Sequence, residues 1–189
     1  MKVKRKLFGL WTGEFTSALL FAALWIGYLN GFSHLAFYLT TFSSVYAFII
    51  LEFILFQGSL YWFMKWRRVS QKEDSHFPSS YIQLFPLLKK MNKILLTLGL
   101  GVLIYHYVQL GVKGLAFFLG LYAFAWIEYI NYYVIRLSYQ SPSEIKEFFE
   151  QKGFKRSILA REIDKKPARL TTQTALVFLS GNQGIGKSR

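Results

Sequence analysis

Four side chains of this chain could do chemistry inside an apolar medium: Glu52, His106, Glu128 and Asn131. Each sits in a run of apolar residues. An ionisable group in hydrocarbon is costly, so it marks a cation or proton site or a buried hydrogen bond between helices. Glu52 is the only charged residue between Leu35 and Met64. At 100° per residue, Thr41, Ser44, Glu52 and Ser59 fall within about 60° of one direction, a polar stripe that should face other helices. Glu128 lies in "WIEYINYYVIRLSYQ", with Asn131 and Ser138 on its side and Arg136 two turns further on. Glu52 and Glu128 come at similar depths in their runs. That predicts a buried acidic pair for a cation or proton, or equally two carboxyl groups that tie helices together. His106 is expected to pack, or to join an aromatic belt, rather than relay protons. Tyr129, Tyr132, Tyr133 and Tyr139 read as such a belt. Glu14 stands at the inner mouth of the first run.

A second pattern suggests nucleotide chemistry. Gly181-Asn182-Gln183-Gly184-Ile185-Gly186-Lys187-Ser188 fits G-x-x-x-x-G-K-[ST]. A working phosphate loop opens a helix at the Lys and Ser, and a later Asp helps hold magnesium. Neither follows Ser188 in this sequence, so Gly181, Gly186, Lys187 and Ser188 are expected to be non-functional. Residues 166–189 read as a flexible tail, or as a truncated or out-of-frame extension. There is no H-E-x-x-H, no G-x-S-x-G and no intramembrane Asp pair. His34, His76 and His106 are not spaced for one site, and there are no cysteines. The expectation is a non-enzymatic protein with no catalytic residues, metal or cofactor.

The elements that carry these residues follow from composition. The chain is 53% hydrophobic and only 17% charged, against about 25% charged in soluble domains. The fold class expected is all-α: a polytopic membrane protein with four transmembrane helices, followed by short cytoplasmic helices. The spans are about 15–32, 35–64, 94–112 and 115–135. The second is too long for an upright crossing, at roughly 45 Å, so it should tilt or project. Gly99 and Gly101, with Gly114, Ala116 and Gly120, are expected to let the third and fourth spans pack closely. The transmembrane domain covers 1–136 and a basic helical tail 137–165.

Charge orients the bundle. Of 23 Lys and Arg residues, all but Lys113 lie before the first span, between the second and third, or after the fourth. The positive-inside rule places that side, with both termini, in the cytoplasm. Net charge of +13 is explained by topology, so no nucleic-acid partner is expected. "MKVKRK" before an apolar run resembles a signal peptide. No A-x-A-like site follows "IGYLNGF", so the first helix is expected to stay uncleaved.

The loop between the second and third spans contains His76, Pro78 and Pro86, and should be a linker with an interfacial piece at Tyr81–Leu88. Beyond the last span, Ser141, Pro142 and Glu144 form a capping box, and Gly153 can end that helix. A second helix is expected at about Lys155–Lys165, with Phe154, Ile158 and Leu159 as an apolar stripe. Its Lys155, Arg156, Arg161 and Lys165 are candidate contacts to anionic lipid or a protein partner.

The stretches "EYINYYVIRLSYQ" and "FKRSILAREI", with "GLWTGEF" near the start, resemble a group of small four-span bacterial membrane proteins. That group is mostly uncharacterised, and some members are labelled general stress proteins. The resemblance covers residues up to about 165. It implies a four-span fold in a bacterial cell membrane and carries no activity or site residues. Two functions stay open on the residues. One is a non-enzymatic membrane protein acting through lipids, a membrane-protein partner or copies of itself. The other is a small oligomeric transporter or channel using Glu52 and Glu128.

Overall fold

A computed structural model of the chain describes residues 2–71, 84–135 and 156–163. Among them the structure is helical throughout, with no strand; a single isolated bridge pairs Ile135 with Arg156. The capping box at Ser141, the loop around His76, and Lys155, Lys165 and residues 166–189 with the phosphate-loop pattern lie outside the described residues.

Helix α1 runs Lys2–Gly31. The basic start and the expected span 15–32 are thus one continuous helix, longer than the apolar run. Next comes the short α2, Ser33–Leu39, and then α3, Phe42–Ser70. The expected single span 35–64 is therefore corrected: it breaks at Thr40 and Thr41. Thr41 makes the break self-satisfying. Its hydroxyl donates to the carbonyl of Tyr38 at 2.8 Å, closing α2, and accepts from the amide of Ser44 at 3.4 Å, starting α3. The break also removes the excess length. From Phe42 to the last apolar turn before Lys65, α3 spans roughly 34 Å, close to the hydrocarbon thickness.

Helix α4 runs Leu84–Leu110, ten residues ahead of the expected start at 94. Residues 84–88 are its first turn rather than a separate interfacial piece. Pro86 is tolerated there because a first-turn amide has no helical acceptor. Helix α5 runs Leu115–Tyr133. The turn between α4 and α5 needs left-handed backbone at Gly111 (φ 60°) and Gly114 (φ 72°), which glycine adopts without a Cβ clash. A last helix, α6 at 158–163, is capped by Ser157, whose Oγ accepts from the amide of Ala160 at 3.0 Å.

Helix α3 is the hub, packed on α1, α4 and α5. Ring contacts set the directions. Trp11 stacks on Trp66 and Trp25 on Phe48, so α1 and α3 are antiparallel. Phe42 meets Tyr105 and Tyr61 meets Phe85, so α3 and α4 are antiparallel too. The core is built on Ala47, Ile50, Leu51, Ile54 and Leu55 of α3, with Leu96, Phe118 and Ala125. The starts of α1 and α4 and the ends of α3 and α5 consequently meet at one end, here called the basic end. The turns of α2 and of Gly111–Gly114 form the other.

Two glycines carry the closest approaches. A Cβ on Gly58 would run into the ring of Tyr132, and one on Gly99 into the ring of Tyr122. Gly99 thus packs as expected, whereas a Cβ on Gly101 or Gly120 would meet open space. The outer faces remain apolar: Leu19, Leu20 and Leu24 of α1 and Leu98, Leu100 and Ile104 of α4 are all more than half exposed. Four helices, α1, α3, α4 and α5, are long and apolar enough to cross a membrane, and hydrocarbon is the solvent such faces suit.

Candidate functional site: a polar axis through the bundle

Polar side chains meet inside the bundle at three places along α3. At the turn end, His106 of α4 is 1% exposed and its ring stacks on Phe118. Its Nε2 lies 3.0 Å from the carbonyl of Lys113, which can only accept, so Nε2 carries the proton. In the neutral ring Nδ1 then accepts from the hydroxyl of Ser43, at the start of α3. Both ring nitrogens are used, and the histidine clamps α3, α4 and the α4–α5 turn.

Halfway along, Gln57 and Asn92 form a reciprocal amide pair. Gln57 Nε2 donates to Asn92 Oδ1 at 3.1 Å, and Asn92 Nδ2 to Gln57 Oε1 at 2.7 Å. The hydroxyl of Tyr133 adds a third hydrogen bond to Gln57 Oε1 at 2.7 Å. Asn92 is fully buried. This junction of α3, α4 and α5 was not legible in the sequence, because α4 begins earlier than its apolar run and Asn92 falls ahead of that run.

Beside that junction, Glu14 of α1 accepts a hydrogen bond from the hydroxyl of Tyr132 of α5. The Tyr132 ring lies over Gly58 of α3, so only glycine leaves room for this crossing. Asn131 Nδ2 donates to Glu128 Oε2 at 3.4 Å. Glu14 is thus bonded to Tyr132 and Glu128 to Asn131. Glu52 stands one turn from Phe48, on the side of α3 that faces α1. It is half-buried, and its Oε1 makes no hydrogen bond to any described residue.

Helix α6 closes the basic end. Ser157 Oγ donates to the carbonyl of Tyr132 at 2.5 Å, and its amide to the carbonyl of Val134 at 3.2 Å. Lys65 Nζ meets Glu162 Oε1 at 2.5 Å, and the hydroxyl of Tyr61 donates to Glu162 Oε2 at 3.0 Å. Leu159 and Ala160 are buried against the bundle, while Arg156 and Arg161 are exposed. The apolar side of this helix thus packs on the protein rather than on lipid; only its basic side is presented outward.

Between α1, α3, α5 and α6 lies a cavity of about 80 Å³. Lys6 and Glu14 line it from α1, Tyr61 and Trp62 from α3, Asn131 and Tyr132 from α5, and α6 forms the cover. It combines a carboxylate, an amide and hydroxyls with apolar walls, which suits recognition of a small charged group on an apolar stem. Among the described residues no three His, Asp or Glu side chains gather for a metal. No protein-family model, curated protein or solved structure matches this chain.

Proposed function

We propose that the chain is a multi-pass protein of a bacterial cell membrane, with both termini cytoplasmic. It works without catalysis, as a binding partner of membrane lipid or of another membrane protein, its own copies included. One observation carries this reading: an apolar bundle gathers its basic residues at one end. The start of α1 brings Lys4, Arg5 and Lys6, the end of α3 brings Arg67 and Arg68, and Arg156 just before α6 and Arg161 within it are exposed. Near an anionic leaflet each such residue contributes about 1 kcal/mol of attraction.

The chain has no cysteine, so single cysteines report sidedness without background. Lys113→Cys should react with an impermeant maleimide in intact cells, and Lys4→Cys only after permeabilisation. The reverse pattern defeats the orientation. For the binding role, purified protein should retain phosphatidylglycerol in native mass spectrometry, and the double change Arg156→Gln with Arg161→Gln should reduce it. Retention indifferent to that change removes α6 from the contact surface.

A second reading, an oligomeric transporter or channel using Glu52 and Glu128, is favoured by the unbonded Oε1 of Glu52. Ion flux in proteoliposomes tests it. Flux that Glu52→Gln leaves unchanged takes away its main support.

A further inference from the structure

Glu14 is a carboxylate near the middle of the bundle, on the cavity that α6 covers. Three helices meet at it: its own α1, α5 through Tyr132, and α3 through Gly58 beneath the Tyr132 ring. The adjoining cavity, at about 80 Å³, exceeds the roughly 10–15 Å³ that one water needs. It is therefore large enough for a small organic group.

The lining selects the group. A primary ammonium carries three donors. Glu14 provides a carboxylate, Asn131 an amide and Tyr132 a hydroxyl, all on this cavity. The Trp62 ring adds an aromatic wall of the kind that attracts cations, and Leu10 and Ile158 suit a short carbon stem. A trimethylammonium has no N–H to give these acceptors. Two turns along α1, exposed Lys6 borders the same cavity, where it can meet a phosphate. Lys6 also belongs to the basic end, at the level where the helices leave their apolar stretch.

We propose that this cavity is a binding site for a primary ammonium group on a short stem, carried by a phosphatidylethanolamine headgroup or by a free amine, with Glu14 as its counter-ion and α6 as its cover. This rests on the membrane-protein reading and names one partner within it.

Two lipids with the same chains and phosphate, differing only at the amine, provide the test. Full-length protein in detergent is offered equal amounts of dioleoylphosphatidylethanolamine and dioleoylphosphatidylcholine, and retained lipid is counted by native mass spectrometry. The expected preference for the primary amine is about tenfold, the scale of one hydrogen bond to a charged group lost when the N–H groups are methylated. Glu14→Gln should abolish the preference. Its amide oxygen can still accept from Tyr132, so the helix junction is kept. Ile158→Trp fills the cavity from the α6 side and should abolish the preference as well, which covers the case in which Glu14→Gln does not fold. Thr97→Ala, on an exposed face of α4, should leave the preference intact.

Ethanolamine that displaces the lipid shows one site serving both sources. Ethanolamine that raises the unfolding temperature, in a Glu14-dependent way and without lipid preference, assigns the site to free amines. Equal retention of the two lipids with no effect of ethanolamine overturns the proposal, as does a preference that survives both variants. Either failure leaves the cysteine sidedness result standing, so the site and the membrane reading fall separately.

Discussion

His106, at the turn end, and Glu14, near mid-bundle, hold the same bundle in different ways. At His106 both ring nitrogens are engaged within the chain, by Ser43 and by the carbonyl of Lys113, and the ring is 1% exposed. Its hydrogen-bonding capacity is used up, so it acts as a clamp. Glu14 also ties helices together, but it does so beside a cavity bounded by further polar groups. A carboxylate has about four lone-pair sites, and the one bond from Tyr132 leaves capacity for more. His106 is buried and Glu14 half-buried, both in apolar helices. The void beside one of them is what separates structural glue from a candidate site.

The largest effect expected is at the crossing beneath Glu14. Gly58→Leu drives a side chain into the Tyr132 ring and should cost about 3 kcal/mol, the upper range for overpacking. It should be read as a lowered unfolding midpoint in detergent together with loss of the amine preference. Gly101→Leu, facing open space, should change the midpoint little; equal damage at both positions would mean that the crossing is not special.

His106→Ala comes next. It strands Ser43 and the Lys113 carbonyl and opens a void, at a cost of about 2–3 kcal/mol. The amine preference should remain, because nothing around Glu14 is touched. A preference lost along with stability would break the division between the two places.

A smaller effect is expected at the cover. Lys65→Met removes the partner of Glu162, and that pair is only partly buried. Its loss should cost about 1 kcal/mol, visible as faster amide exchange at residues 157–163 with little change in the global midpoint. Unaltered exchange there would show that Ser157 and Leu159 hold α6 without the ion pair. Smallest is Arg161→Gln, within about 0.5 kcal/mol on stability because the side chain is exposed. It should nevertheless lower phosphatidylglycerol retention.

Much of the fold was readable because it depends on local properties. Apolar runs longer than about 18 residues locate helices that suit hydrocarbon whatever their neighbours. The errors lie where a polar residue interrupts that logic. Thr41 ends one helix and starts the next with a single hydroxyl, so an apolar run counted as one span became two helices. Lys89, Lys90 and Lys93 made the start of α4 look like a loop, although helical backbone continues through them. The amide pair of Gln57 and Asn92 was missed for the same reason.

The sequence alone determined four apolar helices and the grouping of basic residues at their connected ends, because hydropathy and charge act residue by residue along the chain. Which partners the charged side chains meet was decided only by the tertiary structure. Glu14 meets Tyr132 across 118 positions, and Lys65 meets Glu162 across 97. Such pairings depend on how each helix is rotated about its axis. That rotation is set by contacts such as Gly58 under Tyr132 and Gly99 under Tyr122, where the absence of a single Cβ lets two helices approach closely enough to fix which faces meet.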